Sequence, residues 1–214
     1  MLKFDIHYDV FRRVLTAILL VQMVISPTGC RRSHRRHSAP MNISVVIIPI
    51  GDPGSEALEH LRKELEVKFG NCTVGSKMQI PAKAYNPQRG QYMSGILLER
   101  LPEACMDASA GAKVLGVTEE DLYSPRLNFV FGQAQLGGRY AVISLKRLDP
   151  EFYNIAPDRS IFLHRMVKEA VHELGHTLGL SHCSNRRCVM HFSNSLWDTD
   201  VKGDWFCKRC LAKL

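Results

Sequence analysis

Beyond its first forty residues the chain has almost no excess of charge. The whole sequence carries a formal +7, but residues 1–40 hold seven Lys/Arg against two Asp/Glu, a net of +5, which leaves +2 for the other 174 residues. A nucleic-acid partner needs a concentrated basic footprint, so none is expected. A long apolar run is also missing. Val14 to Ile25 is apolar except at Thr16 and Gln22, but twelve residues fall short of the ~20 that span a bilayer. Nor do seven cysteines imply a disulfide framework in a chain of 214 residues, which can bury a sizeable core without one. No internal repeat is visible.

What remains is the composition of an ordinary globular protein, 45% apolar and 23% charged. Residues 1–40 differ from the rest. Lys3, Arg12 and Arg13 precede the apolar run, and Pro27, Gly29, Cys30 and the basic stretch Arg31–His37 follow it. The run suits a signal-peptide core, and Thr28-Gly29-Cys30 resembles the end of a lipoprotein cleavage box, with Pro27 where a Leu is expected. Met41 stands immediately before the first convincing strand, so translation beginning there is the competing reading. The expected organisation is an N-terminal extension over 1–40 and one domain over 41–214. The protein is expected to be a cytoplasmic monomer without stable membrane association, unless export or a lipid anchor at Cys30 makes residues 1–40 a genuine signal.

Ile43 to Ile50 is mostly β-branched and apolar. It reads as a strand buried on both faces, with Pro49 marking where its pairing ends. Gly51–Gly54 is a turn, with Asp52 or Ser55 as the cap of a helix over 56–69 that Gly70 stops. Part of 72–80 reads as a second strand, 81–90 as loop and 91–101 as a second helix. Strands over 112–117, 127–132 and 140–145 follow, the last two joined through Gly137-Gly138 as a hairpin. After a loop over 149–157, with Pro157 near the first helical position, a helix is expected from about 159 to 177. Strands and helices alternate, so the fold class is α/β or α+β with a mixed, largely parallel sheet.

That last helix carries the chemistry. His172-Glu173-Leu174-Gly175-His176-Thr177-Leu178-Gly179-Leu180-Ser181-His182-Cys183 reads HExxHxxGxxHC. Residues four apart share a helical face, so His172 and His176 can hold one metal ion, and Glu173 can reach its remaining side. His182 can join only if the chain turns back. Gly179 can turn it, because glycine escapes the Cβ penalty of roughly 1–2 kcal/mol in the left-handed region. Three neutral imidazoles with one position left open make a catalytic rather than a structural zinc site. Cys183 and Cys188, then Cys207 and Cys210, are thiolate pairs at the short spacings of a tetrahedral four-cysteine zinc site. Cys30, Cys72 and Cys105 lack partners by spacing and read as apolar packing. Met190, just after the histidines, reads as a floor beneath the catalytic metal.

HExxHxxGxxH followed by a methionine turn resembles the metzincin metalloproteases. With Cys183-x4-Cys188-x-Met190 and Cys207-x-x-Cys210, the chain closely resembles the archaemetzincin (archaelysin) family from about Met41 to its C-terminus, including Arg89-Gly90-Gln91-Tyr92. The sixteen residues between Met190 and Cys207 are one fewer than the family pattern. The resemblance implies a compact metzincin-like core and two zinc ions per chain. His172, His176 and His182 then hold the catalytic ion, and Cys183, Cys188, Cys207 and Cys210 a structural one in a C-terminal subdomain. Met190 becomes the methionine turn, and Glu173 the general base of peptide-bond hydrolysis on a peptide or protein substrate. Strand 127–132 is the candidate edge along which an extended peptide could pair. Two other classes share these features: a zinc hydrolase of non-peptide substrates, and a binding module whose four-cysteine site, flanked by Arg186-Arg187 and Lys208-Arg209, is a contact surface.

Overall fold

The computed structural model describes residues 40–214; the extension over 1–40, with Cys30, lies outside the described residues except for Pro40. In chain order the elements are strand β1 (Val45–Ile50), helix α1 (Ser55–Phe69), β2 (Cys72–Val74), β3 (Tyr85–Asn86), β4 (Gln91–Met93), α2 (Ser94–Ala104), β5 (Lys113–Thr118), β6 (Leu122–Tyr123), β7 (Gly132–Ala134), β8 (Tyr140–Ser144), α3 (Arg159–Thr177), α4 (Leu196–Val201) and α5 (Lys208–Leu211).

Five strands form the main sheet in the order β2-β1-β5-β8-β7. The first four run parallel and β7 closes the edge antiparallel to β8, which gives the expected mixed, largely parallel sheet. The period-2 alternation of the central strands sorts their side chains to two faces. Val45 and Ile47 of β1, Leu115 and Val117 of β5, and Ala141 and Ile143 of β8 pack under α1 and α3. Ile48, Ile50, Val114 and Val142 pack on the other face under α2. With helices on both faces, the central strands are buried throughout, hence their near-continuous apolar sequences. A small second sheet, β3-β4-β6, sits beside this frame and bears on the cleft.

Several expected boundaries move, each for a non-local reason. The helix expected from 91 begins at Ser94, because Tyr92 and Met93 pair with Leu122 and Tyr123 of β6. Pro49 does not end the pairing of β1, since a bridge Ile50↔Met78 lies beyond it on the β2 side. The β2 ladder stops at Ile47↔Val74, but pairing with β5 runs on to Ile50↔Thr118. The Pro49 carbonyl accepts from Met78 N on the β2 side, so the missing N–H also faces that side, beyond the end of the ladder. Gly54 (φ 73°) rather than Asp52 or Ser55 begins α1, with no side-chain cap. Asp158, accepting from Ile161 N at 2.9 Å, caps α3, so Pro157 precedes the cap. Strand 127–132 is the largest correction. Its regular part is Gly132–Ala134, while 127–131 makes a single bridge, Leu122↔Val130. The displaced strand still ends in the expected hairpin through Gly137-Gly138 and lies at the sheet edge.

Candidate metal centres and active site

Helix α3 buries Met166, Ala170, Val171 and Leu174 in the core under the sheet, which leaves His172, Glu173 and His176 turned to the cleft. The helix ends as its sequence demands. Gly179 takes φ 90°, its N–H bonds to the His176 carbonyl at 2.9 Å, and Leu180 N reaches the Gly175 carbonyl at 3.0 Å. This pair of bonds is the Schellman reversal, which needs a residue without a Cβ at the turning point. The reversal brings His182 back, its ring centroid 5.4 Å from that of His172 and 4.9 Å from that of His176.

Two of the rings are fixed by backbone carbonyls. His172 Nδ1 lies 2.7 Å from the Val189 carbonyl and His176 Nδ1 2.7 Å from the Leu180 carbonyl. A carbonyl can only accept, so each Nδ1 carries the proton and each Nε2 keeps its lone pair. The two Nε2 atoms converge to 3.1 Å, and one donor atom from each of the three histidines falls in a cluster within 4.8 Å. Burial, then the Lys202 cation and the neighbouring His176, hold His172 well below the ordinary histidine range. Burial likewise lowers His176 and His182. The imidazoles are therefore neutral, the form that binds metal.

Glu173 sits beside them, buried, with Oε2 lacking any hydrogen-bond partner among the described groups. Burial, and then the Glu169 carboxylate one turn earlier, push its carboxyl up to about 8 in the metal-free protein. An orphaned buried carboxylate oxygen next to three converging imidazole nitrogens fits a site completed by a cation and water. The edge strand crosses so close above it that a Cβ at Gly132 would lie 2.6 Å from Glu173 Cγ. Sequence reading placed Gly132 at the end of the candidate edge strand without giving it a role of its own, and the only local hint was a glycine closing a mostly apolar segment. It also missed Lys202, whose fully buried side chain pairs with Glu169 at 3.0 Å while Thr199 Oγ1 donates to the same carboxylate at 2.8 Å. Partners 33 residues apart leave no spacing signal.

The second cluster lies directly beyond His182. Cys183, Cys188, Cys207 and Cys210 carry free thiols, their sulfurs within 4.8 Å of one another. Cys183 and Cys207 Sγ are 3.9 Å apart, and Cys188 and Cys210 Sγ 3.7 Å. A tetrahedron with Zn–S bonds of about 2.3 Å has edges of about 3.8 Å, which these two pairs match. Cys207 N–H donates to Cys188 Sγ at 3.3 Å and Arg209 Nη2 to Cys183 Sγ at 3.2 Å, bonds that favour thiolates. Burial opposes ionisation of Cys207, but the Cys210 backbone N–H and the neighbouring thiols hold it at about 6. Cys72 and Cys105 are buried elsewhere, as expected. Met190 is buried against Gly175 of α3, where a Cβ would run into Met190 Sδ and lie 2.8 Å from Phe206 Cε1.

A cleft of about 650 Å³ opens over the histidines, walled by residues 127–134 on one side and 192–194 on the other. The sequence model described as peptidase family M54 matches residues 59–214. The chain belongs to peptidase family M54. Its relatives include the archaemetzincin of Methanocaldococcus jannaschii, 49% identical over 175 residues and matched across 81% of this chain and 94% of that one. The archaemetzincin of Pyrococcus furiosus is 45% identical over 180 residues, 81% and 93% of the two chains. The crystal structure of the Archaeoglobus fulgidus archaemetzincin complexed with malonate is 40% identical with a TM-score of 0.70, covering 80% of this chain and 100% of that one. This M54 protein is accordingly a zinc metallopeptidase, and its substrates are peptides or proteins. No helix among the described residues is long and apolar enough to cross a membrane.

Proposed function

We propose that this metallopeptidase works with two zinc ions per chain and with Glu173 as general base. His172, His176 and His182 would hold the catalytic ion; Cys183, Cys188, Cys207 and Cys210 would hold the other, fully enclosed and structural. The observation that carries the reading is the convergence of three imidazoles, two of them oriented by backbone carbonyls, in a cleft also lined by Glu173 with its buried, unpartnered Oε2. Zinc supplies Lewis acidity that lowers the pKa of water from 15.7 to roughly 7 and polarises a carbonyl. Glu173, ionised once a cation beside it offsets its burial, accepts the attacking water's proton at Oε2 and passes it to the nitrogen of the leaving amine as the C–N bond breaks.

Edge strand β7 orients the substrate. Phe131 O accepts from Ser144 N, and Gln135 N donates to Tyr140 O. In an antiparallel pair the bonded residues alternate, so 131, 133 and 135 face β8. Gly132 and Ala134 therefore turn their N–H and C=O groups to the open side. An extended peptide can add there as a further strand, with its carbonyl carried across the cleft above Glu173. Four free thiols in a metal-binding arrangement suit a reducing compartment, which favours a cytoplasmic enzyme. The reading is tested by elemental analysis of native protein together with cleavage of a peptide library by the zinc-loaded enzyme. Two zinc ions and discrete cleavage sites are expected; one ion or none, or an inert library, would overturn it.

A further inference from the structure

The cleft wall over 124–131 has an unusual support. Among the described residues it makes one bridge to another strand, Leu122↔Val130, and it contains Arg126 in the left-handed region at φ 71°. A short irregular segment with so few ladder bonds is not self-supporting, yet it leads directly into Gly132. What holds it comes from the Arg89-Gly90-Gln91 turn, 38 residues away in sequence. Arg89 Nη2 donates to the Leu127 carbonyl at 2.9 Å and to the Asn128 carbonyl at 2.8 Å. Its Nε donates to Gln91 Oε1 at 2.9 Å, and its guanidinium lies 4.4 Å from the centre of the Tyr123 ring. Buried Gln91 then donates through Nε2 to the same Asn128 carbonyl at 3.0 Å and to Asp121 Oδ2 at 2.9 Å. Asp121 in turn anchors Arg147 through two bonds, 2.7 and 2.8 Å, and Arg147 lies 4.4 Å from the centre of the Phe129 ring.

We infer that Arg89, acting with Gln91, is a positioning residue for peptide binding: by tying down the carbonyls of Leu127 and Asn128 it sets the height of the β7 edge above Glu173. The inference rests on the proposed peptidase reading, in which Gly132 and Ala134 pair with the substrate backbone. The two clamped carbonyls are also the groups a regular strand over 127–131 would have offered to a neighbour. Arg89 takes them instead, which leaves the wall fixed and the next residues free at the edge. Only a planar fork serves. Arg89 uses two nitrogens on three acceptors while stacking on a ring, and a lysine's single ammonium cannot reproduce that.

The test compares the zinc-loaded wild type with Arg89→Ala, Arg89→Lys and Gln91→Ala on a short and a long peptide around one scissile bond. Hydrogen exchange of amides 127–134 is followed in parallel. With Arg89→Ala, KM for the long peptide should rise about tenfold or more, the loss expected from charge-assisted bonds. At the same time kcat should stay within about threefold, and the short peptide should be affected less. Zinc content should be unchanged and amides 127–131 should exchange faster. Arg89→Lys should not rescue, and Gln91→Ala should repeat the pattern more weakly. If Arg89→Ala does not fold, the milder lysine variant decides by the same split between KM and kcat. An unchanged KM in a wild type that does cleave, rescue by lysine, or equal losses in kcat for both peptides would each overturn the inference alone. A wild type that cleaves neither peptide would instead overturn the peptidase reading on which it stands, whatever the exchange data show.

Discussion

The two candidate metal centres occupy neighbouring residues, His182 and Cys183, yet they are built on opposite plans. Two histidines come from one 19-residue helix whose far face is locked in the core, and the third follows a reversal enforced by Gly179. Their cluster keeps one side open to the cleft, where His182 itself is exposed. The cysteines come from loops and the short α5, and three of the four are buried. An open position on a rigid helix is what a reaction needs, since the ligands must hold still while one site exchanges. A closed set of soft thiolates on irregular chain is what a staple needs, since metal can order segments too short to order themselves. The two are not independent. Cys188 precedes Val189, whose carbonyl orients His172, and Cys183 N bonds to the Met190 carbonyl at 2.8 Å. The cysteine-bearing loop therefore supplies part of the support for the open site.

The largest separation between the centres should come from Glu173→Gln. The amide keeps the shape and leaves all seven candidate ligands in place, but cannot take a proton. Both zinc ions should remain and the fold should be intact, while kcat falls by about 10²–10⁴-fold, the usual contribution of a general base. Wild-type turnover on a peptide the parent cleaves would remove Glu173 from the mechanism. Gly132→Ala should come next, by a purely steric route. Its Cβ would lie 2.6 Å from Glu173 Cγ, so either the edge strand lifts or the carboxylate turns away. A shift of this size from the productive geometry can lower kcat by about 10²-fold. Thermal stability and zinc content should hardly change, and calorimetry beside steady-state kinetics separates the two effects.

Much of this geometry could be read from the sequence because both clusters are built from residues close together in the chain. The i, i+4 histidines, the glycine that reverses the helix and the paired cysteines all lie within 39 residues, 172–210, and each spacing has a geometric meaning that tertiary structure cannot easily override. The burial of β1 on both faces was legible too, from its near-continuous run of apolar, β-branched residues. What escaped depends on partners far away. Leu127, Phe129 and Phe131 carry an apolar alternation that reads as a strand, but Arg89 and Gln91 take the carbonyls a strand would use. Residues 91–93 look like the first turn of a helix until β6 pairs with them. Lys202 could not be assigned to the interior, because lysine is almost never fully buried unless paired and its partner Glu169 shows no spacing relation to it.

A pair of substitutions can ask how far the staple reaches into the open site. Cys188→Ser removes a soft ligand without touching the cleft. It should release the cysteine-bound zinc, lower the melting temperature and, because Val189 then loses its fixed place opposite His172, reduce activity by about 10–100-fold, as loss of an outer-shell partner does. His182→Ala should act in one direction only, weakening the catalytic ion while leaving the cysteine-bound ion and the melting temperature nearly unchanged. Zinc counted by chromophoric chelator release, alongside circular dichroism melts, distinguishes them. If Cys188→Ser kept full activity after losing its zinc, the centres would be independent.

The smallest effect is expected at Met190, which lies between the two centres. Its side chain is buried against Gly175, the one position of the α3 motif without a Cβ, and beside Phe206. Both of these neighbours are apolar, so the methionine is expected to act by filling volume beside the helix that carries the histidines. Met190→Leu keeps most of that volume. Its loss of stability should therefore stay below about 1.5 kcal/mol, with turnover within a few-fold of the parent. Gly175→Ala inverts the change, adding an atom to the other side of the same contact. Met190 Sδ and Phe206 Cε1 must then give way, and overpacking of this kind costs about 1–3 kcal/mol. Both variants should bind zinc at both centres. If Met190→Leu abolished turnover while preserving stability and metal content, the sulfur would have a chemical role that packing does not explain.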